Sequence, residues 1–214
     1  LTGQSVQRDP GYIYMEYFEG GRTPNYQDFA PGHRGRLRRQ MQAIRLGDYM
    51  GVRYDIQSQA DPFEIYRVDT DTHEATNLAA QMPDMEQRMK TLSLQVRRPN
   101  ESAPRPYDDE LVPASSAVPV VNGVERLAYE GNFPWVPDFA TLKSVASGAE
   151  NHPDLSKRTR DNDLGMFFTG YLNIPRDGDY AFYLEADTGA LLRIHDATVI
   201  DADFGYVRGQ EISG

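Results

Sequence analysis

Apolar and polar positions alternate over "YIYMEYF" (12–18), a Tyr- and Phe-rich run that predicts a strand. "QMQAIRLGDYMGVRYD" (40–55) reads as two strands meeting at Gly47–Asp48, and "FEIYRVD" (63–69) as another, with Phe63, Ile65 and Tyr66 toward the core. The period then lengthens: Met85, Met89, Leu92 and Val96 recur at helical spacing, and Pro83 suits a first helical turn. This pattern predicts an antiparallel sheet covered by one helix.

Between these elements "GGRTPNYQDFAPGHRGRLRR" (20–39) is a long Gly/Pro/Arg loop. "PNESAPRPYDDELVPASSAVP" (99–119) is rich in Pro, Ser, Ala and acids, a composition that predicts a semi-extended connector and the best domain boundary. From Val120 onward the pattern is almost all β. "LGMFFTGYLNI" (164–174) places Met166, Phe168, Leu172 and Ile174 on one face. "YAFYLEA" (180–186) does the same for Tyr180, Phe182, Leu184 and Ala186, after a tight turn at "PRDGD". Regular strands joined by Gly/Asp turns predict a sandwich. The expected fold class is therefore α+β, a small sheet with a covering helix followed by an all-β sandwich. The expected domains are 1–98, a linker at 99–119, and 120–214.

Charge sharpens that division. The net charge is −10, yet residues 1–99 hold 13 basic and 13 acidic side chains while 100–214 hold 9 and 19. The whole deficit lies in the second part, which supports two units. An acidic chain with no overall basic face excludes nucleic acid as an expected partner. No apolar run approaches the roughly 18 residues a spanning helix needs, and mean hydropathy is −0.62. The chain has no cysteine, which removes disulfides, thiolate nucleophiles and Cys-zinc sites together. "LTGQSVQRDPGYIYMEYF" lacks the basic start and apolar middle of a signal peptide, and Leu1 is not an initiator Met. The expectation is a chain that begins inside a longer protein.

In the first part, "YMEY" (14–17), "QAIRLGDY" (42–49), "EIYRVDTD" (64–71) and "EATNLA" (74–79) stand in an order and spacing that resembles the C-terminal subdomain of bacterial sulfatases. Met15 stands where that family usually has Trp. The resemblance implies a parent sulfuric-ester hydrolase with a formylglycine nucleophile made from Cys or Ser in a C/S-x-P-S-R motif, beside a calcium site. Both belong to an N-terminal catalytic domain, the first expected partner. Nothing here supplies the nucleophile: there is no Cys, and "SAPR" (102–105) has its Arg one place too early. No catalytic residue is therefore assigned within this chain.

The family's subdomain often contacts sugar at the pocket rim. The candidates for that contact are His33, Arg34, Arg36, Arg38 and Arg39 of "GHRGRLRR", because an Arg fork matches sulfate or carboxylate oxygens. A solvated basic loop packed on another acidic surface is the other reading. Glu16 and Arg45, on neighbouring strands, predict a cross-strand ion pair. His73 is expected at the surface before the helix, and Tyr12, Tyr14, Tyr17 and Phe18 in core or interdomain packing.

In the second part, "YEGNF" (129–133), "FFTGYLNIPRDGDYAFYLEADTGALLRIHD" (167–196) and "VIDAD" (199–203) resemble the protective-antigen-type β-sandwich, the PA-fourteen module. That resemblance implies further strands beyond "QEISG", hence a truncated sandwich. Gly178 and Gly189 suit turns with positive φ, and Asp187 can accept backbone N–H bonds in such a turn. Some family members bind sugar through calcium held by two adjacent Asp here, and Thr188 stands where the second would be. Calcium takes about six to eight oxygens, so Asp187 is either a turn former or a weakened calcium ligand. Trp135 is expected to plug one end of the sandwich, His195–Asp196 to turn between strands, and His152 to lie in a polar loop.

The combined expectation is the C-terminal part of a periplasmic or extracellular sulfatase whose sandwich tethers it to sulfated or cell-wall polysaccharide. A non-enzymatic carbohydrate-binding or adhesion protein is the alternative.

Overall fold

The structure, a computed structural model, describes residues 11–98, 100, 102–116, 122–203 and 206–214. It divides into two compact units, one up to Glu110 together with Ile194–Thr198, the other Leu111–Arg193 and Val199–Gly214.

The first unit is built on an antiparallel meander of β1 (Ile13–Tyr17), β2 (Met41–Leu46), β3 (Tyr49–Arg53) and β4 (Glu64–Arg67), in that spatial order. Gly47, at φ +57, lets the chain reverse between β2 and β3. One face receives the helix α1 (Pro83–Val96), which has Pro at its first turn and Asp84 and Glu86 favouring its N-terminal dipole. Met89 is fully buried and packs with Ile44, Leu46, Phe63 and Ile65. Gly51 is required for that approach, since a Cβ there would stand 2.3 Å from the Met89 sulfur. Burying each of these large side chains contributes about 1.5–3 kcal/mol.

Neighbours Ile65 and Tyr66 point to opposite faces, yet both are buried. The second face is therefore covered as well. The 20–39 loop does this: His33 meets Tyr66 edge-on, and the Arg36 guanidinium stacks 3.9 Å from the Tyr54 ring centre. That cover stops short of β1, where Ile13 and Met15 remain 58% and 52% exposed.

Two expectations are corrected here. Glu16 and Arg45 do not pair: the register sets Glu16 opposite Gln42 and Arg45 opposite Ile13, so the two side chains emerge on opposite faces. Arg45 donates instead to the Gly47 carbonyl. The segment 102–110, whose composition predicts an extended connector, buries Ala103, Arg105 and Tyr107 in the first unit. Tyr107 is 1% exposed, and its hydroxyl accepts a 2.6 Å bond from the Gln42 amide. One large aromatic and one satisfied cation outweighed a Pro-rich composition. Residues 1–10, 99, 101, 117–121 and 204–205 of the predicted domains and linker lie outside the described residues.

The second unit is mostly β, in small antiparallel sheets. β5 (Val124–Glu130) lies between β6 (Ala146–Glu150) and β7 (Leu164–Gly170). β8 (Tyr183–Glu185), β9 (Leu191–Ile194), β10 (Ala197–Asp201) and β11 (Glu211–Ser213) form two two-stranded sheets, β9 with β10 and β8 with β11. His195, at φ +51, and Asp196 make the turn between β9 and β10, as expected. Gly165 admits the Phe139 ring, with Tyr129 and Phe167 in ring contact on either side.

The predicted hairpin over 164–186 is not formed. β7 ends at Gly170, Leu172 and Ile174 are exposed, and β8 pairs with β11 instead. Gly189 does not take positive φ; its tight spot is against Asp203, whose Oδ1 would lie 3.0 Å from a Cβ. The fold class is thus α+β at the level of elements, with one α-helix and several antiparallel sheets among the described residues.

Candidate functional site

The five basic-loop candidates do not converge on one point. Arg34 donates to the Phe29 and Gln27 carbonyls and so closes its own loop. Arg36 makes a two-pronged bond to Glu64 at 2.8 and 2.6 Å. Arg38 lies over the Tyr17 ring, with its Nε buried and unpartnered. Arg39 pairs with Asp55 at 2.6 Å near the surface. His33 is 7% exposed and sits in a 3-10 turn, Pro31–His33.

Two of the five, His33 and Arg36, do line a common cleft. Its other walls are Ala30, Pro31 and Gly32 from the loop and Glu64, Tyr66, Glu74, Ala75 and Asn77 from β4 and the segment after it, around a cavity of about 460 Å³. The Glu74 carbonyl accepts a 2.7 Å bond from His33 Nε2, which therefore carries the ring proton in the neutral form. His33 Nδ1 is buried with no partner. An unsatisfied buried acceptor costs about 1–3 kcal/mol.

Two carboxyl groups line the same cleft, and their pKa values are shifted in opposite directions. Burial alone would raise Glu64, but hydrogen bonds from Arg36 and Tyr66 and the Arg36 charge outweigh it and hold the carboxyl below its usual range. Burial raises Glu74, Asp71 and Glu64 add to this, and His33 only partly opposes it, so Glu74 stays above the usual range. The Glu74 carboxylate has no hydrogen bond or ion pair among the described residues. Its backbone takes φ +54, a conformation that costs a non-Gly residue roughly 1–2 kcal/mol. Sequence reading missed Glu64, Tyr66 and Glu74 as site residues. The available signal was Glu74 at the end of an acidic turn, with no Lys or Arg within the preceding six positions to pair it.

A second polar cluster is structural. Glu16 receives bonds from Tyr14 and Gln42 and ion pairs with Arg97 and Arg105. Burial pushes the Glu16 carboxyl up, but these donors and guanidiniums bring it below its usual range. Arg53 donates twice to Gln42 Oε1 and stacks over Phe63. With so many internal partners the cluster locks β1 to α1 and to 102–110. His73, at the surface as expected, bonds the Asp28 carbonyl.

In the second unit Asp187 is exposed and its carboxylate faces Arg208 at 3.2 Å. Among the described residues no three His, Cys, Asp or Glu side chains come together as a metal group. One carboxylate facing a guanidinium does not fit calcium, which needs several anionic oxygens turned to one point. Trp135 is half-buried, and the next residue, Val136, donates its N–H to Asp203 at 2.6 Å. His152 lies exposed beside Asp154.

Comparison with known proteins decides what this second unit resembles. Residues 123–211 match the PA14 domain. No curated protein matches the chain. The PA14 match falls on the stretch whose turns and aromatic strands resemble the protective-antigen-type module, and the small antiparallel sheets are consistent with it. PA14 domains are often carbohydrate-binding or adhesion modules and are typically extracellular or secreted. Among the described residues no helix is long and apolar enough to cross a membrane. The comparisons lend no support to the sulfatase resemblance of residues 1–98.

Proposed function

We propose that the chain is an extracellular carbohydrate-binding or adhesion module, with glycan recognition carried by its PA14 unit. The match over residues 123–211 carries this reading. Exposed tyrosines in the same unit support it, since Tyr171, Tyr180 and Tyr183 offer flat apolar faces to sugar rings. Because Asp187 is engaged by Arg208, the reading expects recognition that does not need calcium. The whole chain is run in affinity electrophoresis through gels containing cell-wall or sulfated polysaccharide, with calcium and with a chelator. Retardation that survives the chelator is the expected result. Free migration in every polysaccharide would reject the reading, and retardation only with calcium would return Asp187 to a ligand role.

A second reading has its own support. Ile13, Met15 and Tyr17 all point to the same face of β1 and remain exposed, beside an exposed Phe18. Such an apolar face suits a subdomain that leans on a larger catalytic domain, as the sulfatase resemblance implies. The parent activity would be hydrolysis of carbohydrate sulfate esters, with nucleophile and calcium site held by that domain. Met15→Asp in the parent protein is expected to reduce solubility or sulfatase activity; equal solubility and equal turnover would remove this support.

A further inference from the structure

The cleft of the first unit has a chemistry opposite to the one its basic sequence suggests. Among the described residues that line it, the one guanidinium, Arg36, has both terminal nitrogens on Glu64 and its flat face on Tyr54, so no fork is left for an anion. What the cleft leaves unused are acceptors. Glu74 presents a half-buried carboxylate with no cation or donor, and His33 presents a buried Nδ1 lone pair, its Nε2 proton being held by the Glu74 carbonyl. Asp71 adds a further negative charge nearby, although its oxygens are occupied by the Ala75 and Thr76 N–H groups. Glu64 and Arg36 cancel. What remains is the Glu74 charge with that of Asp71 beside it, and two acceptors without a donor, the Glu74 carboxylate and the buried His33 Nδ1.

We infer that this cleft binds the primary ammonium group of a small ligand, with Glu74 as its counter-ion and His33 Nδ1 as a second acceptor. An ammonium brings three donors and one positive charge, which answers both deficits at once. A cavity of about 460 Å³ holds more than the ammonium alone, so the group is carried on a body of monosaccharide or amino-acid size. The left-handed backbone at Glu74 fits this role: the residue is held at a strained position with its side chain unpaired. Burial, which raises the Glu74 carboxyl, also sets a pH dependence, with binding lost as pH falls through the raised value. The charged and titratable groups around Glu74 are His33 and Arg36 from the loop, Tyr54 just after β3, Glu64 and Tyr66 from β4, and Asp71 and His73 from the turn before it.

The test is titration of the whole chain, followed by backbone amide NMR, with glucosamine, Nα-acetyl-lysine amide and glucose as probes. Saturable shifts at Gly32, Glu74 and Ala75 with either amine and not with glucose are expected. Which amine binds more tightly shows whether the carrier is a sugar or an amino acid. Glu74→Gln keeps the shape and removes the charge; it is expected to weaken amine binding about tenfold or more, with the dispersed amide spectrum of a folded chain retained. His33→Phe is expected to weaken it less. Absent saturation with both amines, equal shifts with glucose, or full affinity in folded Glu74→Gln would each overturn the inference.

Discussion

The two units solve burial differently. In the first, a four-stranded sheet is covered on one face by α1 and over much of the other by the 20–39 loop, and six of its large apolar side chains, Ile44, Ile56, Phe63, Ile65, Met89 and Tyr107, are nearly inaccessible. In the second, full burial among the described residues is confined to a few positions such as Ala128, Tyr129, Ile200 and Ala202, while Phe167, Leu172, Ile174 and Tyr183 remain exposed. Both stretches carry strong apolar alternation. Alternation builds strands, but only a second layer removes their apolar face from water. The first unit also closes its core with polar chemistry, threading Glu16, Gln42, Arg53, Arg97, Arg105 and Tyr107 into one hydrogen-bonded cluster.

The sharpest way to break this contrast is Tyr107→Ala. A connector residue would lose nothing, whereas a core residue at 1% exposure loses about 3–5 kcal/mol, read by urea denaturation of the whole chain. Next is Met89→Ala against Phe167→Ala. The first is expected to cost about 2–5 kcal/mol. Phe167 is already 37% exposed and should cost clearly less; equal losses would show that the second unit has a comparably closed core.

Acid titration sharpens the comparison by charge. Glu16 and Glu64 lie below their usual range, so the stability they contribute is complete above the unfolded carboxyl value and is lost as pH falls through the folded one. Glu74 has the opposite sign: its raised value makes the ionised form unfavourable, and mild acid relieves it first. Denaturation midpoints measured from pH 7 downward should hold or rise slightly before falling. Glu16→Gln should flatten the fall, and a steep fall in that variant would place the acid-sensitive group elsewhere. The smallest expected effect is Glu74→Gly, a gain of up to about 1 kcal/mol from relief of the left-handed backbone. It should abolish amine binding while stabilising the fold.

Legibility in the sequence followed the range of the interaction. β1 to β4 and α1 were readable because periods of two and near four residues are local, and Met85, Met89 and Leu92 carried the helical stripe that packs on the sheet. The site was not readable in the same way. His33 and Glu74 meet across 41 positions, and Arg36 is neutralised by Glu64 across 28. Five basic residues within seven positions, 33–39, suggested an anion site, because sequence shows where charges begin and not which partners claim them. The 164–186 hairpin failed for a related reason: "PRDGD" permits a turn, but the better partner for β8 lies at 211–213.

The sequence by itself determined the two-part division of charge, the strands and helix of the first unit, and the PA14-like turn and strand pattern of the second. Those follow from local backbone preference and from the repeat of apolar side chains. Tertiary structure alone decided that Tyr107 belongs to a core, that Glu16 is held by Arg97 and Arg105, and that Glu74 is left without a cation. Pairing is a competition in space among groups distant along the chain, and the winner depends on which faces the fold brings together.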